Sequence, residues 1–491
     1  MVGIYAVPAG FQPSDAADGE SLGCVVFVVA GQVALRPVVV NGTVRGQRVV
    51  VVGLGLSGIA AARRAVADGA ARVTVNDRRS AAEVDLSAYA ELADQGVQFA
   101  LGGHDDAVFA EADVIVLSPG VPPLDAVVSA KERGVLVIGE IELASWYTEA
   151  PVLAITGTNG KSTVTTLLGE MLESSGFATF TGGNLGTPWC DAVGHEPTAE
   201  GGRCVIEASS YQLEATKHFR PLVAVWLNLT PDHLDRYGSM AAYGAAKSRI
   251  FLAQRREDHA VVPADDPVVL AFARGGAAQV HTWGGEHSEV RIVDDAVIGP
   301  GGLRVPVSEI GIKGSHNVGN AMAAALAAHL GGASVSAIAR TLRSFTGLPH
   351  RMQRVVEHAG VVYIDDSKAT NVGAALKALE GVDRPVVLIA GGRDKGGSYE
   401  PLVQLLRAKA RAVVLLGEAA PLMSASMGNS VAHQAATDMD DAVRRAAALA
   451  RPGDCVLLAP ACSSLDMYKN YAERGDAFAQ AARALKGGAG S

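Results

Sequence analysis

The sequence is poor in cysteine. It holds 5 cysteines among 491 residues, an odd number, and none has the short spacing of metal-binding cysteine pairs. This scarcity argues against a disulfide-stabilised secreted protein and favours a reducing, cytoplasmic compartment. Charged residues make up 19% and hydrophobic residues 49% of the chain, a balance that excludes disorder of the whole chain.

A hydrophobic run long enough to span a membrane is also missing. The most apolar early stretch, residues 24–35, is interrupted by Gln32 and closed by Arg36, whereas a span needs about 20 apolar residues. The residues before it contain no Lys or Arg, so the basic start of a signal peptide is absent. The sequence therefore predicts no membrane span.

An excess of basic residues is the third absence. The chain has 42 Lys and Arg against 51 Asp and Glu, a formal net charge of −9. Such an acidic balance argues against a protein that coats nucleic acid, which would present a basic face. It leaves room for local basic pockets that bind small anions.

Glycine, by contrast, is abundant, and the length predicts several domains. There are 56 glycines, more than the usual roughly 7% of residues, which suits many tight turns and phosphate loops. A chain of this length predicts about three domains, with breaks near 140–150 and 346–349. The blocks are 46–145, 146–347 and 348–491. Residues 1–45 differ in composition and are predicted to be a disordered extension or a mis-assigned start, so a chain starting at Gly46 is expected to keep its activity.

The three blocks share a pattern of short apolar strands separated by helical stretches. This alternation predicts an α/β fold with parallel, doubly wound sheets. Ligands bind such sheets at the carboxyl ends of the strands, and the glycine-rich and acidic motifs lie at those ends. The predicted strands are residues 48–52, 72–76, 114–117, 135–138, 151–155, 204–206, 223–227, 385–390 and 455–459.

The strongest local motif is the glycine loop from Gly157 to Thr163, which follows a strand and opens a helix. Backbone N–H groups of such a turn bind phosphate oxygens. Lys161 would neutralise the β- and γ-phosphates, and Ser162 would offer a hydroxyl to Mg²⁺. The loop is shorter than a standard Walker A loop, because Ile155 stands where that pattern has its first glycine.

Two further strand ends in the same block carry metal-binding residue types. Glu207 ends the next strand, where a magnesium ligand would lie, although a solvated acid is the alternative. His233 follows another strand end and is either a metal or phosphate ligand or a structural histidine. Convergence of three strand ends on one crevice favours the functional interpretation.

The first and third blocks carry weaker signals. Gly53-x-Gly55-x-x-Gly58 with Asp77 resembles a dinucleotide fingerprint and predicts a diphosphate on a helix N-terminus, without specifying a nicotinamide. In the third block, cationic and hydroxyl residues after glycine turns suit an acidic small molecule. They lie at 348–351, 365–371, Lys395 and 463–464, and each taken singly is a turn or a surface charge.

From Gly46 to Leu485 the chain resembles the Mur ligases. The motifs that carry the resemblance include GLGLSG, SPGVP, TGTNGKST, EASSYQLE, NLTPDHLDRY, GLPHR, DSKATN and LAPACSSLDMYKNYAERG, in the family's order and spacing. The resemblance implies a Rossmann-like N-terminal domain that binds a UDP-linked substrate, a central P-loop ATPase-type domain with a parallel sheet, and a Rossmann-like C-terminal domain. The first 45 residues have no counterpart in it.

The resemblance also implies an activity in cytoplasmic peptidoglycan precursor synthesis. ATP would phosphorylate the alanyl carboxylate of UDP-N-acetylmuramoyl-L-alanine, and the amine of D-glutamate would attack the acyl phosphate. Phosphorylation supplies the leaving group that a carboxylate lacks, and Lys161 with Mg²⁺ would offset the charge that develops on the transferred group. No nucleic-acid partner is expected, and the protein is expected to be a monomer.

Site residues follow from the resemblance position by position. Catalytic roles fall on Lys161, Glu207, His233 and Lys247. Two Mg²⁺ ions would be held by Ser162, Glu207, His233 and a carbamate on Lys247, which the residues alone would place on a helix surface. ATP would contact Gly157, Thr158, Asn159, Gly160, Lys161, Ser162, Thr163, Asn317, Asn320, Arg351 and Asp366. The uridine diphosphate would contact Leu56, Ser57, Asp77 and Ser118, and the muramoyl group Asn184 and Gln212. D-glutamate would contact Lys368, Thr370, Lys395, Ser464 and Tyr471.

The sequence departs from the family's motifs at two positions, and three alternative functions remain. Arg78 stands where a small hydroxyl residue is expected near the uracil, and Tyr471 stands where phenylalanine is common. A nicotinamide-dependent oxidoreductase would leave GTNGKST and DSKATN unexplained, and a non-catalytic ATP-binding regulator would not need the four catalytic residues. Sister ligases fit less well: folate polyglutamate ligases lack the first block, and the diaminopimelate and lysine adders carry a different amino-acid motif.

Overall fold

The computed structural model describes residues 42–394 and 398–485 in full and the backbone of residues 24–29 and 32–37. Lys395 and most of the predicted extension therefore lie outside the described residues. Within the extension, β1 (Cys24–Val29) pairs antiparallel with β2 (Gln32–Pro37). Among the described residues no helix is both long and apolar enough to cross a membrane.

The first domain is a five-stranded sheet in the order β5-β4-β3-β6-β7, with every neighbouring pair parallel. Its first strand, β3, is a run of valines whose alternate side chains enter two different cores, as expected of a sheet covered on both faces. The strands are β3 (Arg48–Val52), β4 (Arg72–Asp77), β5 (Gln98–Leu101), β6 (Val114–Leu117) and β7 (Leu136–Gly139). The helices are α1 (Leu56–Ala67), α2 (Ala90–Asp94), α3 (Asp106–Ala110), α4 (Asp125–Glu132) and α5 (Glu140–Ser145).

The second domain holds a six-stranded parallel sheet in the order β13-β12-β11-β8-β10-β9 and a small antiparallel sheet of β14, β15 and β16. The strands are β8 (Val152–Thr156), β9 (Thr179–Gly183), β10 (Arg203–Glu207), β11 (Val223–Trp226), β12 (His259–Pro263), β13 (Gln279–Trp283), β14 (Arg291–Val293), β15 (Ala296–Gly299) and β16 (Leu303–Pro306). The helices are α6 (Lys161–Glu173), α7 (Ser210–Glu214), α8 (Leu234–Tyr237), α9 (Met240–Ser248), α10 (Pro267–Arg274), α11 (Ser315–Leu330) and α12 (Val335–Ser344).

The third domain is a six-stranded sheet in the order β17-β18-β22-β19-β20-β21. The strands are β17 (Gln353–His358), β18 (Val361–Asp365), β19 (Val386–Gly391), β20 (Ala410–Leu416), β21 (His433–Ala435) and β22 (Cys455–Leu458). The helices are α13 (Val372–Glu380), α14 (Glu400–Lys409), α15 (Ala420–Met427), α16 (Met439–Leu449) and α17 (Tyr471–Ala484).

The α/β class predicted from the sequence is confirmed, but the sheets are not parallel throughout. The sheet of β14 to β16 is antiparallel, and β17 pairs antiparallel with β18. These strands are short or partly exposed and carry charged residues, so they lack the continuous apolar run that marks a strand buried on both faces. The strands predicted from the sequence all lie in parallel pairings, and the antiparallel strands are additions that the sequence pattern did not reveal.

The last residues of the predicted extension belong to the first domain. Val44 is fully buried, and its N–H donates to Asp68 Oδ2 at 2.9 Å and to the Tyr147 hydroxyl at 3.0 Å. Thr43 also donates to Asp68 through its hydroxyl, at 2.7 Å. The ordered domain therefore begins before Gly46, the first residue of the resemblance.

Candidate functional site

The predicted ATP loop joins β8 to α6 and depends on glycine at both ends. Gly157 has a φ of 149° and Gly160 a φ of 86°, values that residues with a side chain rarely adopt. A Cβ at Gly160 would lie 2.4 Å from Asn320 Oδ1. Asn320, expected on the adenine side, therefore lies against the turn of the phosphate loop.

Asn228, which is not among the predicted site residues, fixes the backbone of the loop. Its side-chain oxygen accepts the N–H groups of Thr158 at 3.1 Å and Asn159 at 2.9 Å. Its amide donates to the Asn159 carbonyl at 3.0 Å. Since these two loop N–H groups bind protein, phosphate contacts would fall to the first turn of α6, whose N–H groups have no partner within the helix.

Two lysines meet at one carbonyl of this loop. Lys161 Nζ donates to Gly157 O at 2.9 Å, and Lys247 Nζ donates to the same oxygen at 2.8 Å. Lys247 is only 1% exposed, so it is not the helix-surface lysine that the residues alone suggested. Burial, followed by repulsion from Lys161, holds the pKa of Lys247 well below its usual value, and burial also lowers the pKa of Lys161.

Glu207 presents one satisfied and one unsatisfied oxygen. The side chain is 2% exposed, and Oε1 accepts the amide of Asn184 at 2.7 Å. Oε2 is buried and has no hydrogen-bond partner among the residues that the structure describes. A buried carboxylate oxygen without a donor suits a bound cation.

His233 occupies a constrained position at the start of α8. Its φ is 54°, a left-handed conformation that is uncommon for residues other than glycine. The ring is held by Tyr211, whose hydroxyl lies 2.7 Å from His233 Nδ1. Nε2 lies 3.7 Å from Asp232 Oδ2.

These residues suit magnesium, although the described residues contain no group of three or more His, Cys, Asp or Glu arranged to bind a metal. The unsatisfied oxygen of Glu207 and the buried amine of Lys247 are the supporting observations. Ser162 is buried in the first turn of α6. A carbamate on Lys247 would supply the anionic oxygens that the ammonium form lacks.

A cavity of about 210 Å³ lies between the second and third domains. Asn317 lines it from the second domain and Arg351 from the third, which agrees with an adenosine site shared by the two. Arg351 Nε is buried without a hydrogen-bond partner in the described part of the chain, and burial lowers the pKa of this guanidinium. Burial raises the pKa of Asp366 to about 7, against the attraction of Arg351.

The predicted D-glutamate residues that the structure describes all belong to the third domain. Lys368 Nζ donates to the Tyr471 hydroxyl at 3.0 Å, so the tyrosine in place of phenylalanine directly engages a site lysine. Ser464 is buried, and the Thr370 N–H donates to the Lys368 carbonyl at 2.8 Å. Lys395 lies outside the described residues.

The predicted uridine diphosphate residues form a separate cluster in the first domain. Asp77 Oδ2 accepts the N–H of Leu54 at 2.8 Å, and Arg79 binds both carboxylate oxygens at 2.9 Å. These bonds hold the pKa of Asp77 well below its usual value, the hydrogen bond from Arg79 being the largest cause. The arginine that pairs with Asp77 is therefore Arg79. Arg78, the departure noted in the sequence, is exposed beside it.

The other residues expected here have varied surroundings. The Ser118 hydroxyl lies 3.3 Å from the Gly53 carbonyl. Leu56, 76% exposed, and the half-buried Ser57 begin α1 beside this cluster. Gln212 caps α7, since its side-chain oxygen accepts the Ser209 N–H at 3.0 Å. Its Nε2 is buried with no partner among the described residues and is the part of Gln212 that remains for a substrate.

Charged residues of both the second and the third domain surround Lys161 of the ATP loop. The groups that act on the charge of Lys161 are Glu207, Asp232, Lys368 and Arg351. The last two belong to the third domain, so the structure brings the predicted ATP and D-glutamate residues together. The first and second domains are also in contact: the guanidinium of Arg236, in the second domain, donates to the carbonyl of Val121, in the first, at 3.4 Å.

Comparisons with known proteins match all three domains of the chain. Three family models match: the Mur ligase MurD-like N-terminal domain at residues 47–139, the Mur ligase middle domain at 155–328, and the Mur ligase glutamate ligase domain at 350–462. A relative from Geotalea daltonii, named UDP-N-acetylmuramoylalanine--D-glutamate ligase, is 44% identical over 91% of this chain and 99% of its own length.

Solved structures share the fold. A UDP-N-acetylmuramate-alanine ligase (MurC) from Thermotoga maritima aligns with a TM-score of 0.57 and 18% identity, over 89% of this chain and all of that one (100%). A MurF ligase from Thermotoga maritima in complex with ADP aligns with a TM-score of 0.55 and 17% identity, over 90% of this chain and 95% of its own. At these identities the likeness establishes the fold alone. Together with the family models and the high-identity relative, it shows that the chain belongs to the Mur ligase family.

Proposed function

We propose that this chain joins D-glutamate to UDP-N-acetylmuramoyl-L-alanine at the expense of ATP, through an acyl-phosphate intermediate. The observation that carries the proposal is that the third domain touches the ATP-loop region directly: Asn371 Nδ2 donates to Asp232 Oδ2 at 3.0 Å and lies 3.5 Å from Asn159 Oδ1, and Lys368 is near enough to Lys161 to act on its charge. A phosphoryl donor on the loop and an amine acceptor in the third domain would therefore meet at one point. The choice of D-glutamate follows the name of the relative that is 44% identical.

The first chemical step would be transfer of the γ-phosphoryl group to the alanyl carboxylate. An oxygen of the carboxylate forms the new bond to phosphorus, and ADP leaves with the electrons of the broken bond. The ammonium of Lys161 would follow the phosphate oxygens and lie where negative charge develops. The N–H groups of the first turn of α6 would bind the same oxygens.

Mg²⁺, when bound, would screen the charge of the triphosphate, with Ser162, Glu207, His233 and carbamylated Lys247 as ligands. The burial of Lys247 favours carbamate formation. Burial disfavours its ammonium form, and only the neutral amine reacts with CO₂ to form a carbamate. Two magnesium ions are proposed, since Glu207 and His233 lie on different strand-end turns.

The second step would be attack of the D-glutamate amine on the acyl carbon. The carbon–nitrogen bond forms as phosphate leaves, and the amine loses a proton to solvent. Lys368 and Thr370 would bind the carboxylates of D-glutamate, and Lys395 and Ser464 would complete the pocket. Cationic and hydroxyl donors match the two negative charges of this amino acid.

A panel of amino acids tests the proposal. The full chain is incubated with ATP, Mg²⁺ and UDP-N-acetylmuramoyl-L-alanine, and phosphate release is measured with each amino acid in turn. We expect release with D-glutamate and at most a few per cent of that rate with L-glutamate, L-lysine or meso-diaminopimelate. Equal rates with another amino acid, or no release with D-glutamate, would contradict the proposal.

Location and assembly form a further part of the proposal. We propose a cytoplasmic monomer, because the precursor carries a soluble nucleotide and the ATP and amino-acid sites are completed by domains of one chain. Light scattering of the purified protein should give a mass close to 50.5 kDa. A dimer in solution would contradict this part without affecting the activity.

A further inference from the structure

Asn371, at the start of α13, links the third domain to the ATP loop. Its Nδ2 donates to Asp232 Oδ2 at 3.0 Å and makes a longer contact of 3.5 Å with Asn159 Oδ1. Asp232 precedes His233 in the chain, and Asn159 belongs to the glycine loop. The side chain therefore spans from the D-glutamate domain to the two segments that would hold ATP and metal.

The orientation of the Asn371 amide is fixed by its own helix. Its Oδ1 accepts the N–H of Ala374 at 2.8 Å and so caps α13. A flipped amide would place an NH₂ group against this N–H, which would leave both donors unsatisfied. The cap thus holds Nδ2 toward Asp232.

The first turn of α13 lies directly against the second domain. A Cβ built on Gly373 would lie 3.6 Å from Thr230 Oγ1 and 3.7 Å from Asn159 Nδ2, which is ordinary van der Waals contact. Three segments therefore meet around Asn371: the ATP loop, the turn before His233, and the N-terminus of α13.

A rigid turn connects this contact to the substrate residues of the third domain. The N–H of Ala369 donates to the Asp366 carbonyl at 2.9 Å, and the N–H of Lys368 donates to the His350 carbonyl at 3.1 Å. Between Asp366 and Asn371 the chain has little freedom, so a displacement of Asn371 from Asp232 would also displace Lys368 and Thr370.

We propose that Asn371 is a positioning residue that fixes the amino-acid-binding turn against the ATP loop through its bond to Asp232. It touches no reacting atom; it sets the separation between the amine acceptor site and the acyl phosphate. This inference rests on the proposed function, because it assumes that Lys368 and Thr370 bind the incoming amino acid.

The test uses substitutions that preserve the helix cap. Asp and Ser cap helices about as well as Asn, so Asn371→Asp and Asn371→Ser should keep α13 starting at the same residue. Asn371→Asp sets a carboxylate against Asp232, and Asn371→Ser shortens the side chain and removes the bond. Asp232→Asn combined with Asn371→Asp reverses donor and acceptor and restores the bond.

We expect Asn371→Asp to raise KM for D-glutamate on the order of tenfold, the size of losing a hydrogen bond to a charged group. The KM for UDP-N-acetylmuramoyl-L-alanine should stay within about twofold, since its residues lie in other segments. The double variant is compared with Asp232→Asn alone, so any separate role of the Asp232 charge cancels. Recovery of KM in the double variant is the result that a merely structural role of Asn371 would not give.

Hydrogen exchange provides a readout that does not need turnover. In the full chain without substrates, the amides of 157–163 and 366–374 should exchange faster in Asn371→Asp and return to the Asp232→Asn level in the double variant. Unchanged exchange in Asn371→Asp, or no recovery on reversal, would overturn the inference. A wild-type chain that is inactive with D-glutamate would instead contradict the proposed function, and the exchange experiment would still decide whether the contact exists.

Discussion

Lys161 and Lys247 share a hydrogen-bond acceptor, the carbonyl of Gly157, yet they would perform opposite electrostatic tasks. Lys161 precedes Ser162 at the start of α6, where a cation suits phosphate. Lys247 is buried behind the loop, and its NH₃⁺ group repels that of Lys161. Conversion of Lys247 to a carbamate would remove this repulsion and add an anionic metal ligand.

Lys247→Ala should lose most activity and recover part of it with added acetate or formate. The missing side chain leaves a gap that a small carboxylate fills with equivalent oxygens. Phosphate release is measured as the carboxylate concentration is raised, with chloride at equal ionic strength as the control. Lys161→Ala serves as the matched variant and should show no recovery. Equal insensitivity of the two variants would contradict the carbamate, and full activity of Lys247→Ala would exclude any catalytic role.

Lys161→Ala should abolish phosphate release while leaving binding of the UDP-linked substrate intact. The lysine contacts the ATP loop in the second domain, and the uridine diphosphate residues form a cluster in the first. Removal of a charge that stabilises the transferred phosphoryl group typically slows turnover by about a hundredfold or more. Calorimetric titration with UDP-N-acetylmuramoyl-L-alanine measures the binding. Loss of this binding together with activity would show that the two sites are not separate.

At the scale of elements, two helical glycines differ in the space around them: one is tightly packed and the other has room for a side chain. A Cβ at Gly475 in α17 would lie 2.2 Å from His350 Nδ1 and 2.7 Å from Asp365 Oδ2. The corresponding Cβ at Gly373 in α13 has no neighbour closer than 3.5 Å. Helix propensity alone would favour alanine at both positions by roughly 0.5–1 kcal/mol.

We therefore expect Gly475→Ala to lower the free energy of unfolding by about 1–3 kcal/mol, because the methyl group displaces the His350–Asp365 pair. Gly373→Ala should leave it unchanged or raise it slightly. Urea denaturation of both variants measures the difference. A Gly475→Ala protein as stable as Gly373→Ala would show that the packing around α17 adjusts freely.

Glu140, the first residue of α5, should make stability depend on pH. Burial raises its pKa to about 7 from a usual 4.5, so the folded protein keeps a proton that the unfolded chain releases between these values. The contribution of this group to the free energy of unfolding therefore falls as pH rises from about 4.5 to 7, by up to about 3 kcal/mol.

Glu140→Gln cannot ionise and should gain stability relative to the wild type as pH is raised from 5 to 8. Urea denaturation of both proteins at both pH values gives the difference in their free energies of unfolding. All other groups titrate alike in the two proteins, so their contributions cancel in this difference. Glu149→Gln, a change at an exposed glutamate in the same region, is the control and should show no such gain. A difference that does not change with pH would mean that Glu140 is ionised in the folded protein throughout this range.

Part of the site could be predicted from the sequence and part could not. The ATP loop was predictable because its strand, glycines and Lys161 are contiguous, so local rules specify it. Asn228 clamps that loop from about 70 positions away, and nothing in its local sequence signals the contact. Glu207 could be placed at a strand end, but the pairing of one oxygen with Asn184 depends on the register of β9 and β10.

Across the whole molecule, buried carboxylates link segments that are far apart in the sequence. The Glu142 carboxylate, fully buried in α5, accepts the N–H groups of Lys217 and Phe219 in the second domain, both at 2.9 Å. The Asp68 carboxylate accepts from Val44, Thr43 and Tyr147 at the other end of the first domain. Sequence patterning predicts three domains, but these side-chain links between distant segments appear only in the folded chain.

The link at Asp68 changes the expected limit of the N-terminal extension. The sequence predicts that a chain starting at Gly46 is active, but this start removes Val44 from the core and leaves Asp68 without two of its donors. Burial of a valine side chain contributes about 1.5–3 kcal/mol, and loss of donors to a buried carboxylate adds to the deficit.

We therefore predict that a chain starting at Gly42 matches the full-length protein in stability and phosphate release, whereas a chain starting at Gly46 is less stable by at least about 2 kcal/mol. Urea denaturation of the three chains measures stability, and initial rates with D-glutamate measure function. Val44→Ala in the full-length chain separates the loss of core packing from the loss of the terminal backbone. If the two shortened chains are equally stable, the contacts of Thr43 and Val44 contribute nothing. If both fall below the full-length chain, residues before Gly42 contribute to the fold and the extension is not dispensable.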